Sequence, residues 1–345
     1  MADPVTSHLL TVSEVIRETG DACSVVFDVP TELAAAFDYR PGQFLTLRIP
    51  SDECGSVARC YSLSSSPYTD AALKVTVKRS VDGFASHWVN DTLAPGDTVQ
   101  VLPPSGVFTP KSLEDDLLLF AGGSGITPVI SIVKSAMAKG SGSLVLVYAN
   151  RDAASVIFAD ELRELAQTHP ERLVVVHWLE SLQGLPTAER LRTLAEPFAE
   201  RDAFVCGPPP YMKAARAALR ELDFPRERVH VERFVSLTGN PFERAEPVEV
   251  DPDLEPAELT VDLDGQTRSL RWPRNQKLLD LLLENGLDAP FSCREGACSA
   301  CACRIVAGEV TMIHNDVLEP VDLDEGIRLA CQSLPAADEV SVSYE

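Results

Sequence analysis

Cys293, Cys298, Cys301 and Cys303 crowd into eleven positions, and Cys331 follows after a gap of 29 residues beyond Cys301. Thiolates are soft ligands, and the Cys-x4-Cys-x2-Cys spacing with one distant cysteine suits a two-iron, two-sulfide cluster. Each tetrahedral iron needs two protein sulfurs besides the bridging sulfides. A tight loop can supply three, and a remote segment the fourth. Gly296, Ala297, Ser299 and Ala300 are small, so backbone N–H groups can approach the sulfurs and stabilise their charge. A zinc site would bring two separated Cys-x2-Cys pairs or added histidines, and His314 is the nearest spare ligand. The reading is a [2Fe–2S] centre on Cys293, Cys298, Cys301 and Cys331, with Cys303 a small buried residue at the start of a strand.

A second constellation is built from glycine. Gly122-Gly123-Ser124-Gly125-Ile126-Thr127-Pro128 follows an apolar run and precedes a helical one. Such a turn can cradle a phosphate at a helix N-terminus, and proline suits a first helical turn. No Gly-Lys-Ser/Thr follows, which excludes a P-loop, and the third glycine of G-x-G-x-x-G is missing. A third stretch, Arg59-Cys60-Tyr61-Ser62-Leu63-Ser64, pairs a guanidinium suited to a diphosphate with an aromatic ring and hydroxyls.

These residues need elements to position them. Residues 9–16, 23–29, 43–49, 73–79 and 97–102 alternate apolar and polar side chains between Pro-Gly turns, predicting an antiparallel β-barrel with one helix at 84–93. From Asp116 the period changes. Apolar runs at 117–121, 144–149, 173–179, 203–207 and 229–234 alternate with helical stretches at 127–138, 157–168 and 209–222. That pattern predicts an open parallel α/β sheet. Residues 240–257 hold four prolines and six acids and read as a linker. A hairpin turning at Asp264-Gly265, a helix over KLLDLLLENG and strands near 304–312 and 339–344 predict a small α+β domain. The expected domains are 1–112, 113–240 and 258–345, joined by a linker at 241–257.

The totals restrict the function. The formal charge of −22 argues against nucleic acid, because phosphate contacts need Lys and Arg. From Glu246 onward there are 21 acidic and 7 basic residues, a balance of −14, which reads either as a solubilising surface or as a docking face for a basic partner. No run approaches a membrane span of roughly 18 to 20 apolar residues. Nine cysteines without a secretory leader favour reduced thiols in the cytoplasm.

Taken with these residues, the chain resembles the ferredoxin–NADP reductase superfamily with a C-terminal plant-type [2Fe–2S] ferredoxin domain of β-grasp fold. The similarity covers nearly the whole chain and includes RCYSLS, GFASHW, GGSGITP, CGPPPYM, FSCREGACSACACRI, NDVL and LACQS. It implies that Arg59 binds a flavin phosphate, that Tyr61 packs on the flavin ring, and that Ser62 and Ser64 lie beside it, Ser62 in a catalytic position near flavin N5. It implies a second flavin-phosphate site at Gly83 and Ser86, with Lys78 as a further phosphate ligand or a plain surface lysine. FAD is favoured, while FMN relatives exist. NAD(P)H diphosphate is expected at Gly122, Gly123, Gly125 and Thr127. Cys206, Gly207 and Pro208 would lie beside the nicotinamide, with Cys206 and Glu232 in catalytic positions; Phe234 reads equally as core. Arg151 could pair with a 2′-phosphate and Asp152 with a free 2′-hydroxyl, opposite indications. NADH is favoured by the resemblance alone.

The implied function is electron transfer from NADH through FAD and the cluster to a terminal oxygenase. The C-terminal wording is most similar to reductases of ketosteroid 9α-hydroxylase systems, whose partner is a Rieske-type oxygenase. Phenylacetyl-CoA epoxidase reductases share the layout. A free-standing flavin reductase would have no need of the cysteine domain, and a cluster-based redox sensor finds no DNA-binding stretch.

Overall fold

The computed structural model describes residues 7–243, 254–263 and 265–344. Residues 244–253 of the expected linker and Asp264 of the expected hairpin turn lie outside the described residues. The described residues divide into two compact units, one of residues 8–49 and 60–234, the other of residues 7, 50–59, 235–243, 254–263 and 265–344.

The N-terminal sheet is built from β1 (His8–Thr19), β2 (Ala22–Asp28), β3 (Phe44–Ser51), β4 (Gly55–Ser62), β5 (Leu73–Lys78) and β6 (Thr98–Val101), with α1 (Phe84–Thr92) between the last two; all of it falls in the first unit except residues 50–51 of β3 and 55–59 of β4. Their sheet order is β4-β3-β6-β1-β2-β5. An antiparallel bridge from Leu63, just past β4, to Val75 of β5 joins the two edges, as the barrel reading requires. Leu10, Val12, Val25, Phe27, Leu45, Leu47, Val75 and Val77 fill its interior because alternate residues of a strand face one side.

The parallel sheet follows: β7 (Leu117–Gly122), α2 (Ile126–Lys139), β8 (Leu144–Asn150), α3 (Ala159–Thr168), β9 (Leu173–Leu179), α4 (Glu180–Gln183), α5 (Ala188–Ala195), β10 (Asp202–Cys206), α6 (Pro209–Glu221) and β11 (Val229–Glu232). The order β11-β10-β7-β8-β9 is parallel throughout. Strands β7 and β8 are buried on both faces, which explains their unbroken apolar runs. The chain leaves β7 toward β8 on one side and returns to β10 on the other. A crevice at the carboxyl ends of β7 and β10 is therefore the place such sheets offer a ligand. The last strand is shorter than the apolar run suggested. Phe234 lies beyond it and is 49% exposed, which removes the core reading of that residue.

In the second unit, β12 (Ala257–Leu263), β13 (Gln266–Trp272), β14 (Ala302–Ala307), β16 (Ile327–Leu329) and β18 (Glu339–Ser343) form a sheet of order β13-β12-β18-β14-β16. The helix α7 (Leu278–Glu284) buries Leu278, Leu279, Leu281 and Leu282 in a core shared with Trp272, Cys301, Cys303 and Cys331. Two strands, β15 (Val310–Met312) and β17 (Ser333–Pro335), pair apart from it, and α8 (Pro320–Asp324) lies between β15 and β16.

Candidate functional site

The glycine turn explains itself sterically. A Cβ on Gly125 would lie 2.2 Å from the Cys206 carbonyl oxygen and 2.6 Å from the Gly207 nitrogen. A Cβ on Gly122 would lie 2.9 Å from Pro208 Cδ, and one on Gly207 would lie 3.0 Å from the Gly122 Cα. The two turns thus pack backbone on backbone at the ends of neighbouring strands β7 and β10. Gly123 has φ +51°, and the Tyr148 hydroxyl donates to its carbonyl at 3.2 Å. The buried Thr127 hydroxyl donates to the Ser124 carbonyl at 3.0 Å, closing the turn into α2.

Cys206 is fully buried and pairs in register with Glu232. Burial pushes the Cys206 thiol well up, and the Glu232 carboxylate adds to the effect. Enclosure of the Glu232 carboxyl pushes it up to about 8, so it is mostly protonated at neutral pH. The pair is a neutral thiol beside a neutral carboxylic acid, able to hold a proton but unsuited to nucleophilic attack.

On β4, the period-two alternation puts Arg59 and Tyr61 on one face. Arg59 Nη1 donates to the carbonyls of Ala58 (2.7 Å) and Leu237 (3.0 Å). Ser62 and Ser64 are buried, and the Ser64 hydroxyl bonds Thr76 Oγ1 at 2.7 Å and the Lys74 carbonyl at 3.2 Å. Gly83 begins α1 with no side-chain cap, leaving its N-terminus to an external acceptor. A Cβ there would collide with the Ser80 and Ser86 hydroxyls, 1.9 and 2.8 Å away. The Ser86 hydroxyl itself is engaged locally, donating to the Gly83 carbonyl at 2.8 Å and accepting from the Ser80 N–H at 3.0 Å.

Lys78 ends β5 close to the glycine turn. Its ammonium lies 3.9 Å from where a Gly123 Cβ would sit, facing the nucleotide turn, and 3.7 Å from Asp21. Asp21 also accepts from Arg151 at 2.9 Å. Asp152, expected to face a ribose, accepts from the Ser155 N–H at 2.9 Å in a reciprocal cap of residues 153–155. Asp21 carries no motif, and its contacts arise only because the turn between β1 and β2 meets the end of β8.

The cysteine loop has left-handed residues at Arg294 (φ +59°), Gly296 (φ +84°) and Ser299 (φ +52°), which turn successive N–H groups inward. The Glu295 and Ala297 N–H groups donate to Cys293 Sγ at 3.5 and 3.3 Å. The Cys293 N–H donates to Cys298 Sγ at 3.4 Å and the Cys331 N–H to Cys301 Sγ at 3.5 Å. Gln332 Nε2 donates to Cys331 Sγ at 3.5 Å. The thiols of Cys293 and Cys298, Cys293 and Cys331, and Cys301 and Cys331 stand pairwise within hydrogen-bonding reach. Among the described residues no three ligating side chains close around a single ion. A cavity of about 260 Å³ opens beside Cys293 and Cys331, with Lys277, Asp280 and Glu295 in its lining. Four thiols from two segments, inward N–H donors and adjoining space fit a cluster that takes its sulfurs in pairs. Cys303 turns elsewhere: its sulfur donates to the Arg328 carbonyl at 3.6 Å.

Comparison with known proteins covers the same three segments. Residues 9–109 match the oxidoreductase FAD-binding domain family, 119–217 the oxidoreductase NAD-binding domain family, and 261–336 the 2Fe-2S iron-sulfur cluster binding domain family. The ferredoxin reductase component of 3-ketosteroid-9-alpha-monooxygenase from Rhodococcus rhodochrous is 56% identical over 340 residues, 98% of this chain and 97% of the relative. A 1,2-phenylacetyl-CoA epoxidase subunit from Escherichia coli strain K12 is 33% identical over 356 residues, 99% and 98% of the two chains. The structure of phthalate dioxygenase reductase shares the fold, with TM-score 0.57 at 22% identity over 98% of both chains. No helix among the described residues is long and apolar enough to cross a membrane. The chain belongs to the family of FAD-, NAD- and [2Fe–2S]-binding oxidoreductases that serve as ferredoxin reductase components of multicomponent monooxygenases.

Proposed function

We propose that the chain takes electrons from NADH and delivers them to the Rieske-type terminal oxygenase of a ketosteroid 9α-hydroxylating system. The observation that carries the substrate class is the 56% identity across nearly the whole of a ketosteroid monooxygenase reductase, against 33% for the epoxidase relative. When bound, FAD and the cluster supply the conversion of paired electrons from the nucleotide into single ones for the oxygenase.

The chain's own residues supply binding, orientation and proton control. The backbone-packed turns at Gly122–Gly125 and Cys206–Pro208 shape the crevice for the dinucleotide diphosphate, with Lys78 and the N-terminus of α2 as its positive charges. Glu232 holds a proton beside Cys206 where the nicotinamide would lie. Arg59, Tyr61, Ser62, Ser64, Gly83 and Ser86 hold the flavin. Cys293, Cys298, Cys301 and Cys331 ligate the cluster, and the acidic domain around them, within residues 258–345, receives the oxygenase. The protein works in the cytoplasm, where its nine cysteines stay reduced.

Reconstitution tests this reading. The purified chain, a ketosteroid oxygenase component, NADH and a 3-ketosteroid should yield the 9α-hydroxylated product. Rapid cytochrome c reduction with no steroid product would count against the steroid assignment. Productive coupling to an epoxidase instead would favour the second relative.

A further inference from the structure

We propose that Asp21 sets the choice between NADH and NADPH by withholding Arg151 from a 2′-phosphate. The inference rests on the reading that the dinucleotide occupies the crevice beside β7 and β10. In such sheets the adenosine ribose lies beyond the end of the second strand, where an arginine accommodates a 2′-phosphate and a carboxylate selects the free hydroxyl. Here both residue types follow β8, as Arg151 and Asp152, and the sequence leaves the preference open. The structure separates them. Asp152 spends a carboxylate oxygen on the Ser155 N–H at 2.9 Å, in a cap that also ties Ser155 Oγ to the Asp152 backbone. Arg151 donates to Asp21 Oδ2 at 2.9 Å.

Asp21 is held ready for that contact. Its other carboxylate oxygen accepts from Thr19 Oγ1 at 2.8 Å, and its backbone carbonyl accepts from the Arg79 N–H at 2.7 Å. The same Oδ2 lies 3.7 Å from Lys78 Nζ, which faces Gly123. One carboxylate therefore stands between the cation at the diphosphate turn and the cation at the ribose end. A 2′-phosphate arriving at Arg151 would have to displace Asp21 and sit beside its negative charge. A ribose 2′-hydroxyl meets no such repulsion. Asp21 is thus a positioning residue that acts through Arg151.

Steady-state reduction of ferricyanide by the holoenzyme gives the ratio of kcat/KM for NADPH to that for NADH. In Asp21→Asn this ratio should rise about fivefold, the scale of one exposed ion pair, chiefly through the KM for NADPH. Asp21→Glu should keep the original ratio. Arg151→Ala in the Asp21→Asn background should remove the gain. Calorimetric titration with 2′,5′-ADP supplies a readout independent of turnover, and binding should tighten in Asp21→Asn. An unchanged ratio with unchanged 2′,5′-ADP affinity, or a gain that survives Arg151→Ala, overturns the proposal. A wild-type chain reduced by neither nucleotide would instead overturn the proposed function.

Discussion

The Glu295 carboxylate accepts hydrogen bonds from the Thr238 N–H at 2.9 Å and from the Thr238 hydroxyl at 2.9 Å. It also accepts from the Gly239 N–H at 2.5 Å. One side chain inside the Cys293–Cys298 loop thus anchors the chain segment that leaves the nucleotide domain. Glu295→Ala would leave these donors to water and should cost about 1–2 kcal/mol of local stability, the net worth of charge-assisted bonds at a partly exposed site. Limited proteolysis should then cut near 238–243 faster than in the wild type. Unchanged cleavage would show that the anchor is dispensable.

Cluster ligation separates two neighbouring cysteines. Cys331→Ser should abolish the broad visible absorbance and the iron content, and with them cytochrome c reduction. NADH-driven ferricyanide reduction should persist. Cys303→Ser should retain iron, because the Cys303 sulfur is turned to the Arg328 carbonyl. Loss of iron in both variants would contradict the assignment.

Thr127→Val removes one hydroxyl and little volume. It deletes the bond to the Ser124 carbonyl and should loosen the diphosphate turn. We expect the KM for NADH to rise about tenfold, in line with roughly 1–1.5 kcal/mol for a buried hydrogen bond. Flavin content should stay unchanged. An unaltered KM would mean that the backbone packing alone shapes the turn.

Glu232 makes stability and rate depend on pH in a defined direction. Its carboxyl sits near 8 in the folded chain against an ordinary 4.5. The folded state keeps a proton that the unfolded chain has lost, so stability falls as pH rises from about 4.5 through about 8 and then levels off. The loss is at most about 5 kcal/mol. Glu232→Gln should flatten that decline in thermal melts and remove the alkaline limb near pH 8 from the NADH-driven rate. A melt profile identical to wild type would show that Glu232 does not hold the proton.

The parts legible in sequence were those where chemistry restricts residue type. Cysteine spacing, glycine turns and the change from period-two alternation to buried runs marked the barrel, the parallel sheet and the cysteine domain. Helix α5, AERLRTLA, escaped notice because it buries only Leu191 and Ala195 and shows mostly polar residues. The destination of Lys78 and the engagement of Asp152 escaped for other reasons. The neighbours of Lys78, Gly123 and Asp21, lie in other elements, and no local pattern encodes that meeting, whereas the cap from Asp152 to Ser155 three residues on is a local Asp-x-x-Ser pattern that went unread. Phe234 was ambiguous because its strand ends two residues earlier than its hydrophobicity suggests.

The abutment of the Gly122–Gly125 turn on Cys206–Gly207 also bears on how this chain can change over generations. A methyl group at Gly125 has nowhere to go except into a carbonyl 2.2 Å away. In a saturation library selected for growth on a ketosteroid, positions 122, 125 and 207 should therefore admit glycine alone. Arg151 and Asp21, on a charged rim, should drift as a pair. The crevice would keep its shape across descendants while the nucleotide it prefers remains open to revision.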